Sequence, residues 1–230
     1  MNQALETDPD LATWRPRLAA LVARTDDGGG DGAHDANHLE RVWRNAQALL
    51  AHHPQADALV VMAACYLHDL VNLPKDHPER AQASTRSASL ACHHLEGLGF
   101  PPERLDAVAH AIAAHSFSAR IDATSLEAQI VQDADRLDAL GAVGLARMFY
   151  TAGRMGSALA HPNDPLADAR ALDDRAYSLD HIAAKLATLP GTMQTEGGRA
   201  LGRERLAMLE SFRTAFAAEW GVAPNAAKDS

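Results

Sequence analysis

One stretch limits the folds open to this chain more than any other: nine consecutive hydrophobic residues, Leu59 to Leu67, followed at once by His68 and Asp69. A helix without a polar face is buried on every side, so this segment belongs in the centre of a core. An ionised carboxylate at the end of such a helix is costly to bury unless a cation pairs with it. The His68-Asp69 pair is therefore the first place to expect chemistry.

The rest of the sequence predicts helices rather than strands. Ala and Leu are abundant, aromatic residues make up only 5% of the 230 residues, and β-branched runs are scarce. Apolar positions recur every three or four residues in most segments. We expect an all-α, single-domain bundle of about eight or nine helices. The predicted helices lie at residues 10–24, 37–51, 59–67, 84–97, 102–115, 126–140, 142–153, 175–189 and 193–220.

Glycine, proline and aspartate interrupt this helical pattern. Residues 26–32 include four glycines, but no Gly-Lys-Ser/Thr follows and no apolar strand precedes them. A flexible loop is therefore favoured over a phosphate-binding loop. Residues 153–174 form a longer connection than usual, and we interpret them as a candidate lid.

Charge and hydropathy exclude several classes of partner. The formal net charge is −9 and the pI is about 5.7, so we expect no nucleic acid and no anionic membrane as a partner. The sequence has no membrane-spanning pattern and no signal-peptide pattern, which favours a cytoplasmic protein acting on a small molecule. Cys65 and Cys92 lack metal-type spacing, so we interpret both as buried residues of a reducing compartment.

Acid and imidazole side chains interrupt the apolar helices at three points. They are His38, His68-Asp69 and the group Asp133-x-Asp135-x-x-Asp138. Two imidazoles and two carboxylates form a mixed nitrogen and oxygen set that suits a divalent ion, with positions left for water and substrate. Neighbouring helical residues point about 100° apart, so His68 and Asp69 can share an ion only with help from other helices. His38 and one aspartate of the 133–138 group would supply that help.

These residues stand in a recognisable order. The segments Asp35-x-x-His38-x-x-Arg41-Val42, Tyr66-Leu67-His68-Asp69-Leu70 and Ala134-Asp135-Arg136-Leu137 resemble the H...HD...D signature of the HD-domain phosphohydrolase superfamily. Residues 111–116, 132–141 and 172–181 are similar to a bacterial subgroup of stand-alone HD proteins. The resemblance implies an HD-type bundle, with a metal-binding core at about residues 33–140. It also implies C-terminal helices and the candidate lid at 141–222, and a disordered tail at 223–230.

The resemblance also implies a ligand set. The metal ligands would be His38, His68, Asp69 and Asp135. Asp135 is chosen over Asp133 because the last aspartate of the family lies in an Ala-Asp-Arg-Leu element. Asp138, three residues further on, is expected behind the ligands, where it would orient them. We expect one divalent ion, manganese first, with Mg, Fe, Co, Ni or Zn as alternatives.

The activity that follows from the resemblance is metal-assisted hydrolysis of a phosphate bond. We expect a monomer or homodimer that releases phosphate or pyrophosphate from a (deoxy)nucleoside di- or triphosphate, with Asp69 as a catalytic residue. Some nucleotidase members carry a glutamate shortly after the HD pair, where this chain has Asn72. The general base is therefore open among Asp133, Asp138 and His115. The candidate phosphate contacts are Lys75, Arg80 and Lys185.

Three alternatives stay open at this point. The Ala-Asp-Arg-Leu element is also similar to that of enzymes that remove pyrophosphate from an alarmone such as ppGpp. A diiron HD oxygenase is the second alternative, because diiron HD enzymes add histidines between the HD pair and the last aspartate, and His94 and His115 could take those parts. A non-catalytic helical interaction module with a structural metal is the third, although closed structural sites usually have four protein ligands, often cysteines.

Overall fold

The computed structural model describes residue 5 and residues 7–25, 36–73 and 77–221. Within these ranges the chain forms helices joined by turns, and one isolated β-bridge links Ala158 and Tyr177. The all-α prediction is therefore confirmed. The loop predicted at residues 26–32 and the tail predicted at 223–230 lie outside the described residues, as do Asp35 and Lys75.

The helices follow the predicted order with one exception, at residues 175–189. They are α1 Pro9–Thr25, α2 Ala36–Leu50, α3 Ala58–Leu67, α4 Ala83–Gly97, α5 Leu105–His115, α6 Leu126–Asp138, α7 Gly141–Arg154, α8 Asp180–Ala184, α9 Leu189–Thr192 and α10 Glu196–Glu219. Short 3₁₀ turns lie at Arg80–Gln82, Pro102–Arg104, Phe117–Ala119 and Leu186–Thr188. None of the described helices combines the length and the apolar character that a bilayer crossing needs.

Two compact units make up the chain. The first contains residues 1–138 and 193–198, and the second contains residues 139–192 and 199–230. The expectation of a single domain stays a prediction.

Helix α3 is the centre of the first unit. Its residues Leu59–Leu67 are each at most 3% exposed, and α3 packs against α1, α2, α5 and α6. The Asp57 carboxylate starts the helix because it accepts hydrogen bonds from the amides of Leu59 and Val60, at 3.0 and 3.2 Å. Arg104 donates to the same carboxylate at 2.6 Å. The prediction that this segment is buried on every side is confirmed.

Side-chain amides join the helices that pack around α3. Asn45 on α2 donates to the carbonyl of Ala134 on α6 at 2.9 Å, and both groups are buried. Gln132 on α6 donates to the carbonyl of Ala114 on α5 at 2.8 Å. The Ser125 hydroxyl accepts the Ala128 amide at 3.1 Å, so the cap predicted at the start of α6 is present. These bonds fix α2, α5 and α6 relative to one another beside the end of α3.

The second unit contains the exception. The sequence pattern predicts one helix at 175–189, whereas in the structure residues 175–179 are not helical, α8 ends at Ala184, and a 3₁₀ turn that runs directly into α9 follows Lys185. The amides of Ser178 and Leu179 donate to the carbonyls of Ala158 and Leu159, at 2.8 and 2.9 Å. These amides pair with the preceding loop instead of starting a helix, so tertiary hydrogen bonds override the local pattern.

The candidate lid, predicted at residues 153–174 between α7 and α8, is held by a buried carboxylate. The Asp180 carboxylate, 1% exposed, accepts hydrogen bonds from both terminal nitrogens of Arg170, at 2.6 and 2.7 Å, and from the amide of Asp173, at 2.7 Å. The Arg170 guanidinium also lies over the ring of Tyr177, at 4.7 Å. These contacts fix the shape of the connection, and its role as a lid stays a prediction.

Candidate metal centre

Three helix ends bring two imidazoles and two carboxylates together in the first unit. His38 lies in the first turn of α2, His68 and Asp69 directly follow α3, and Asp135 lies in the last turn of α6. The Nε2 atoms of the two histidines are 3.3 Å apart. Asp69 Oδ2 lies 3.8 and 3.6 Å from them, and Asp135 Oδ1 lies 3.5 and 3.9 Å from them. The four predicted ligands are therefore neighbours, and their binding of a metal stays a prediction.

Hydrogen bonds behind the two histidine rings fix how they face this cluster. His68 Nδ1 lies 2.9 Å from the carbonyl of Cys65, and a carbonyl only accepts, so Nδ1 carries the proton. His38 Nδ1 likewise donates to Asp138 Oδ2 at 2.8 Å. Burial lowers the pKa of His68 and the negative charge of Asp69 partly opposes it, so the neutral ring is favoured. In the neutral rings, both Nε2 atoms therefore present lone pairs to each other.

The balance of donors and acceptors makes the cluster suitable for a cation. Its four inward atoms, two Nε2 nitrogens and two carboxylate oxygens, are all acceptors, and acceptors this close repel unless a proton or a cation lies between them. Ligands about 2.1 Å from one ion stand about 3.0 Å apart at a right angle and about 3.4 Å apart at the tetrahedral angle. The observed separations begin at 3.3 Å, and the ligand atoms of His38, His68 and Asp69 all lie within 4.8 Å of one another. These residues therefore fit a divalent ion.

Exposure differs between the imidazoles and the carboxylates of this cluster. The side chains of His38 and His68 are 2% and 0% exposed, whereas those of Asp69 and Asp135 are 23% and 31% exposed. The histidines form the buried floor and the carboxylates line the side that solvent reaches. Water and a substrate would approach from the carboxylate side.

Asp138 lies behind the cluster, as its spacing from Asp135 predicts. It is 2% exposed, and Arg41 donates to its Oδ1 at 2.8 Å and to its Oδ2 at 3.1 Å. With the bond from His38, both carboxylate oxygens are engaged by donors. A carboxylate placed this way fixes the tautomer of the histidine and raises the basicity of its other nitrogen. The geometry favours this orienting role over the general base considered for Asp138.

Asp133 has a different environment from Asp135. Residues two apart on a helix point about 200° apart, so the two carboxylates lie on opposite faces of α6. Asp133 Oδ1 accepts the Gln194 amide at 2.8 Å, and its Oδ2 accepts the amide and the hydroxyl of Thr195, both at 2.7 Å. Burial raises the pKa of the Asp133 carboxyl, which these three bonds partly oppose. The Asp133 carboxylate thus fixes the start of α10, and this geometry does not support a role for Asp133 as the general base.

Sequence reasoning missed the partner of Asp133, the segment that begins α10. The Thr195 hydroxyl accepts the Gly198 amide at 2.9 Å, which caps the helix. A Cβ atom at Gly198 would stand 2.4 Å from Asp133 Oδ2, so only glycine fits there without movement. The available signal was Thr195 just before the helical pattern, because a threonine hydroxyl at the start of a helix typically accepts the backbone amide three residues later.

His115 is a third imidazole at this cluster. It ends α5, is 8% exposed, and its Nδ1 donates to the carbonyl of Ile112 at 2.6 Å. Its Nε2 lies 3.9 Å from Asp69 Oδ1, and its ring meets that of His68 edge-on at 4.7 Å. The fixed Nδ1 leaves Nε2 beside Asp69 as the nitrogen that can exchange a proton.

His94, the other histidine of the diiron alternative, lies elsewhere in the first unit. It lines a surface cavity of about 330 Å³ together with Leu21, Arg24, His93 and others. The structure thus brings His115, but not His94, to the cluster.

The predicted phosphate contacts are placed differently from one another. Arg80 Nη1 donates to Asn72 Oδ1 at 2.8 Å and also to the carbonyl of Leu73. Asn72, which stands where some nucleotidase members of the family have glutamate, therefore accepts a hydrogen bond from Arg80. Lys185 is exposed and directly follows α8 in the second unit.

A helical bundle with two histidines and two aspartates converging in this order defines a class of protein. Residues 35–140 match the family model of the HD domain. The Bacillus subtilis (strain 168) protein YpgQ is 34% identical to this chain over 205 residues, which cover 87% of each protein. The chain belongs to the HD domain family.

Solved structures agree with this assignment. The crystal structure of Bacillus subtilis YpgQ in complex with ADP has a TM-score of 0.68 at 30% identity, covering 89% of this chain and 96% of that chain. An HD-superfamily hydrolase from Bacillus thuringiensis has a TM-score of 0.70 at 28% identity, covering 92% of this chain and 99% of that chain. The chain is accordingly a metal-dependent hydrolase of the HD superfamily.

Proposed function

We propose that this hydrolase acts on nucleotides and releases phosphate or pyrophosphate from (deoxy)nucleoside di- or triphosphates. The observation that carries the proposal is the cluster of four acceptors, which is buried on its histidine side and exposed on its carboxylate side. Such a cluster is suited to a divalent ion, and a bound ion would in turn attract an anionic substrate such as a phosphate. YpgQ, at 30% identity, is known in complex with ADP, which supports a nucleotide as the substrate here.

The proposed ligands are His38, His68, Asp69 and Asp135, with manganese as the first candidate ion. When bound, the ion would lower the pKa of water and stabilise the charge that develops on phosphoryl oxygens. His115 would take a proton from the attacking water at its Nε2, and would return a proton to the leaving phosphate. Its position beside Asp69 supports this role.

Arg80 is the proposed phosphate contact in the first unit. A guanidinium has five N–H donors in a rigid fork, and the bonds to Asn72 and Leu73 both use Nη1. The rest of the fork can pair with two oxygens of one phosphate. The exposed Lys185, and Lys75 outside the described residues, stay proposed contacts on charge alone.

A substrate and metal panel tests this function. Ribo- and deoxyribonucleoside di- and triphosphates, together with ppGpp, would each be incubated with Mn, Mg, Co or Ni, and phosphate and pyrophosphate would be measured separately. We expect metal-dependent release from nucleotides that EDTA abolishes. Faster hydrolysis of ppGpp than of any nucleoside triphosphate would favour the alarmone alternative instead.

A matched pair of variants connects the activity to the cluster. Asp69→Asn removes one proposed ligand charge, and we expect it to abolish both hydrolysis and metal binding. Asp106→Asn makes the same change at an exposed position of α5 and should keep wild-type rates. Hydrolysis by Asp69→Asn at the wild-type rate, or no hydrolysis of any nucleotide by the wild type with any ion, would refute the proposal.

A further inference from the structure

Phe117 is the most exposed large hydrophobic side chain in the described part of the chain, at 83%. The other four phenylalanines all pack against another aromatic ring: Phe100 against Trp14, and Phe149, Phe212 and Phe216 against one another. A single exposed apolar residue needs no functional explanation by itself. A role for Phe117 must therefore be argued from its location in the fold.

Phe117 stands next to the metal centre along the chain. It comes two residues after His115, whose Nε2 is 3.9 Å from Asp69 Oδ1. Two residues of extended chain span at most about 7 Å. Ser116 between them is extended, with φ −80° and ψ 127°, so the backbone leads from the buried imidazole directly out to the exposed ring.

The turn that carries Phe117 has a fixed shape. The hydroxyls of Ser116 and Ser118 share a hydrogen bond at 2.9 Å. Arg120 closes the turn with φ 54° and ψ 36°, a left-handed conformation that residues other than glycine rarely adopt. Strained residues of this kind cluster at ligand-binding positions.

The same turn adjoins the proposed phosphate contact. The 3₁₀ turn Phe117–Ala119 packs against the 3₁₀ turn Arg80–Gln82, so the exposed ring and the Arg80 guanidinium come from neighbouring turns. A substrate whose phosphates lie at the cluster and at Arg80 carries its sugar and base outward. An exposed aromatic ring on the turn that packs against the turn of Arg80 is placed to meet the base.

We propose that Phe117 is the platform on which the nucleobase of the substrate stacks. This inference rests on the proposed function, because a substrate without a base would have no use for the ring. Every nucleobase has a π-face, so stacking on one ring binds all of them with little discrimination. The inference therefore assigns to this protein a contribution of the base to nucleotide binding, with broad tolerance of which base it is.

The test compares a nucleotide with a ligand that has the same phosphates and no base. Wild type, Phe117→Ala and Phe117→Trp would be assayed with a nucleoside triphosphate and with inorganic tripolyphosphate, the latter as substrate or as competitive inhibitor. In Phe117→Ala we expect KM for the nucleotide to rise roughly 5- to 150-fold. The kcat should change little, because stacking stabilises the bound substrate and the transition state equally. Binding of tripolyphosphate should be unchanged, and Phe117→Trp should restore the nucleotide KM.

Three results would overturn the inference. An equal loss with nucleotide and tripolyphosphate would give Phe117 a purely structural role, and unchanged nucleotide kinetics would give it none. Tyr150→Ala, which removes a 48% exposed ring of the second unit, is the control for losing an exposed aromatic side chain. A matching rise of KM in that variant would also contradict the inference. Failure of the proposed function is distinct, because the wild type itself would then hydrolyse no nucleotide, and both ideas would fall.

Discussion

Asp180 in the second unit and Asp135 in the first are both carboxylates beside conjugated nitrogen groups, but their partners differ. Asp180 accepts three N–H donors, two from Arg170 and one from the amide of Asp173. Asp135 instead faces the lone pairs of His38 and His68 at 3.5 and 3.9 Å. Among the described residues, the first carboxylate is matched by N–H donors, whereas the second has two imidazole nitrogens as its neighbours.

The comparison teaches which buried charges indicate a function. Burial alone does not, because Asp180, Asp133 and Asp138 are the most buried of these carboxylates and each is matched by donors. The cluster differs because its two Nε2 nitrogens and two carboxylate oxygens face one another as acceptors, an arrangement that a cation between them would stabilise. The two regions should therefore respond in opposite ways when a charge is removed.

The largest effect is expected at the satisfied carboxylate. Asp180→Ala leaves the Arg170 guanidinium, 18% exposed, without its counter-charge, and should lower the free energy of unfolding by about 3 kcal/mol. Urea unfolding followed by circular dichroism would measure this loss. Asp174→Ala removes an exposed carboxylate that pairs with His181, and should cost at most about 1 kcal/mol. Equal losses in the two variants would contradict the comparison.

Asp135 should show the reverse behaviour. In EDTA, Asp135→Asn should be at least as stable as the wild type, because the change removes repulsion between acceptors. At about 100 times its dissociation constant, a divalent ion should stabilise the wild type by about 2.7 kcal/mol, and this gain should be absent in Asp135→Asn. Thermal melts with and without the ion would show it. A large loss of stability in the metal-free variant would mean that Asp135 is a structural residue.

A smaller effect is expected where a satisfied carboxylate supports the cluster. Asp138→Asn keeps the shape of the side chain but weakens its bonds to His38 and Arg41, and should lower metal affinity roughly 10- to 100-fold. Calorimetric titration with Mn would measure the affinity. An unchanged affinity would show that the orientation of His38 does not depend on Asp138.

The smallest effect concerns thiol reactivity, which reports on the first unit because the only two cysteines of the sequence, Cys65 and Cys92, both belong to it. Burial raises the pKa of both thiols, so each holds less thiolate than a free thiol at pH 8 and should react slowly with iodoacetamide. The partly exposed Cys92 should react before the buried Cys65, and both should react faster as the pH rises.

The same labelling sharpens the comparison between the units. If Asp180→Ala opens only the second unit, the Cys65 labelling rate should stay at the wild-type value in that variant. Mass spectrometry of labelled peptides would distinguish the two cysteines. Fast labelling of Cys65 in the native wild type would show that the floor of the cluster is not sealed.

Much of the fold could be predicted because it depends on local pattern. Helix α3 follows from nine hydrophobic residues, and the start of α6 follows from the cap at Ser125. The failure at residues 175–189 has a tertiary cause, since loop carbonyls at 158 and 159 take the amides that a helix would need. A pattern within one segment contains no information about such a distant acceptor.

The amino-acid sequence by itself determined that the protein is all-α and that His68 and Asp69 end a buried helix. It also indicated that His38 and an aspartate near 135 join them in one cluster. Only the tertiary structure decided which neighbours each carboxylate has. Asp133 is matched by the amides of residues 194 and 195, and Asp138 by Arg41, whereas Asp135 faces two imidazoles. The physical reason is that donors and acceptors far apart in the chain become partners only when the helices pack, so the balance between them is a property of the folded protein.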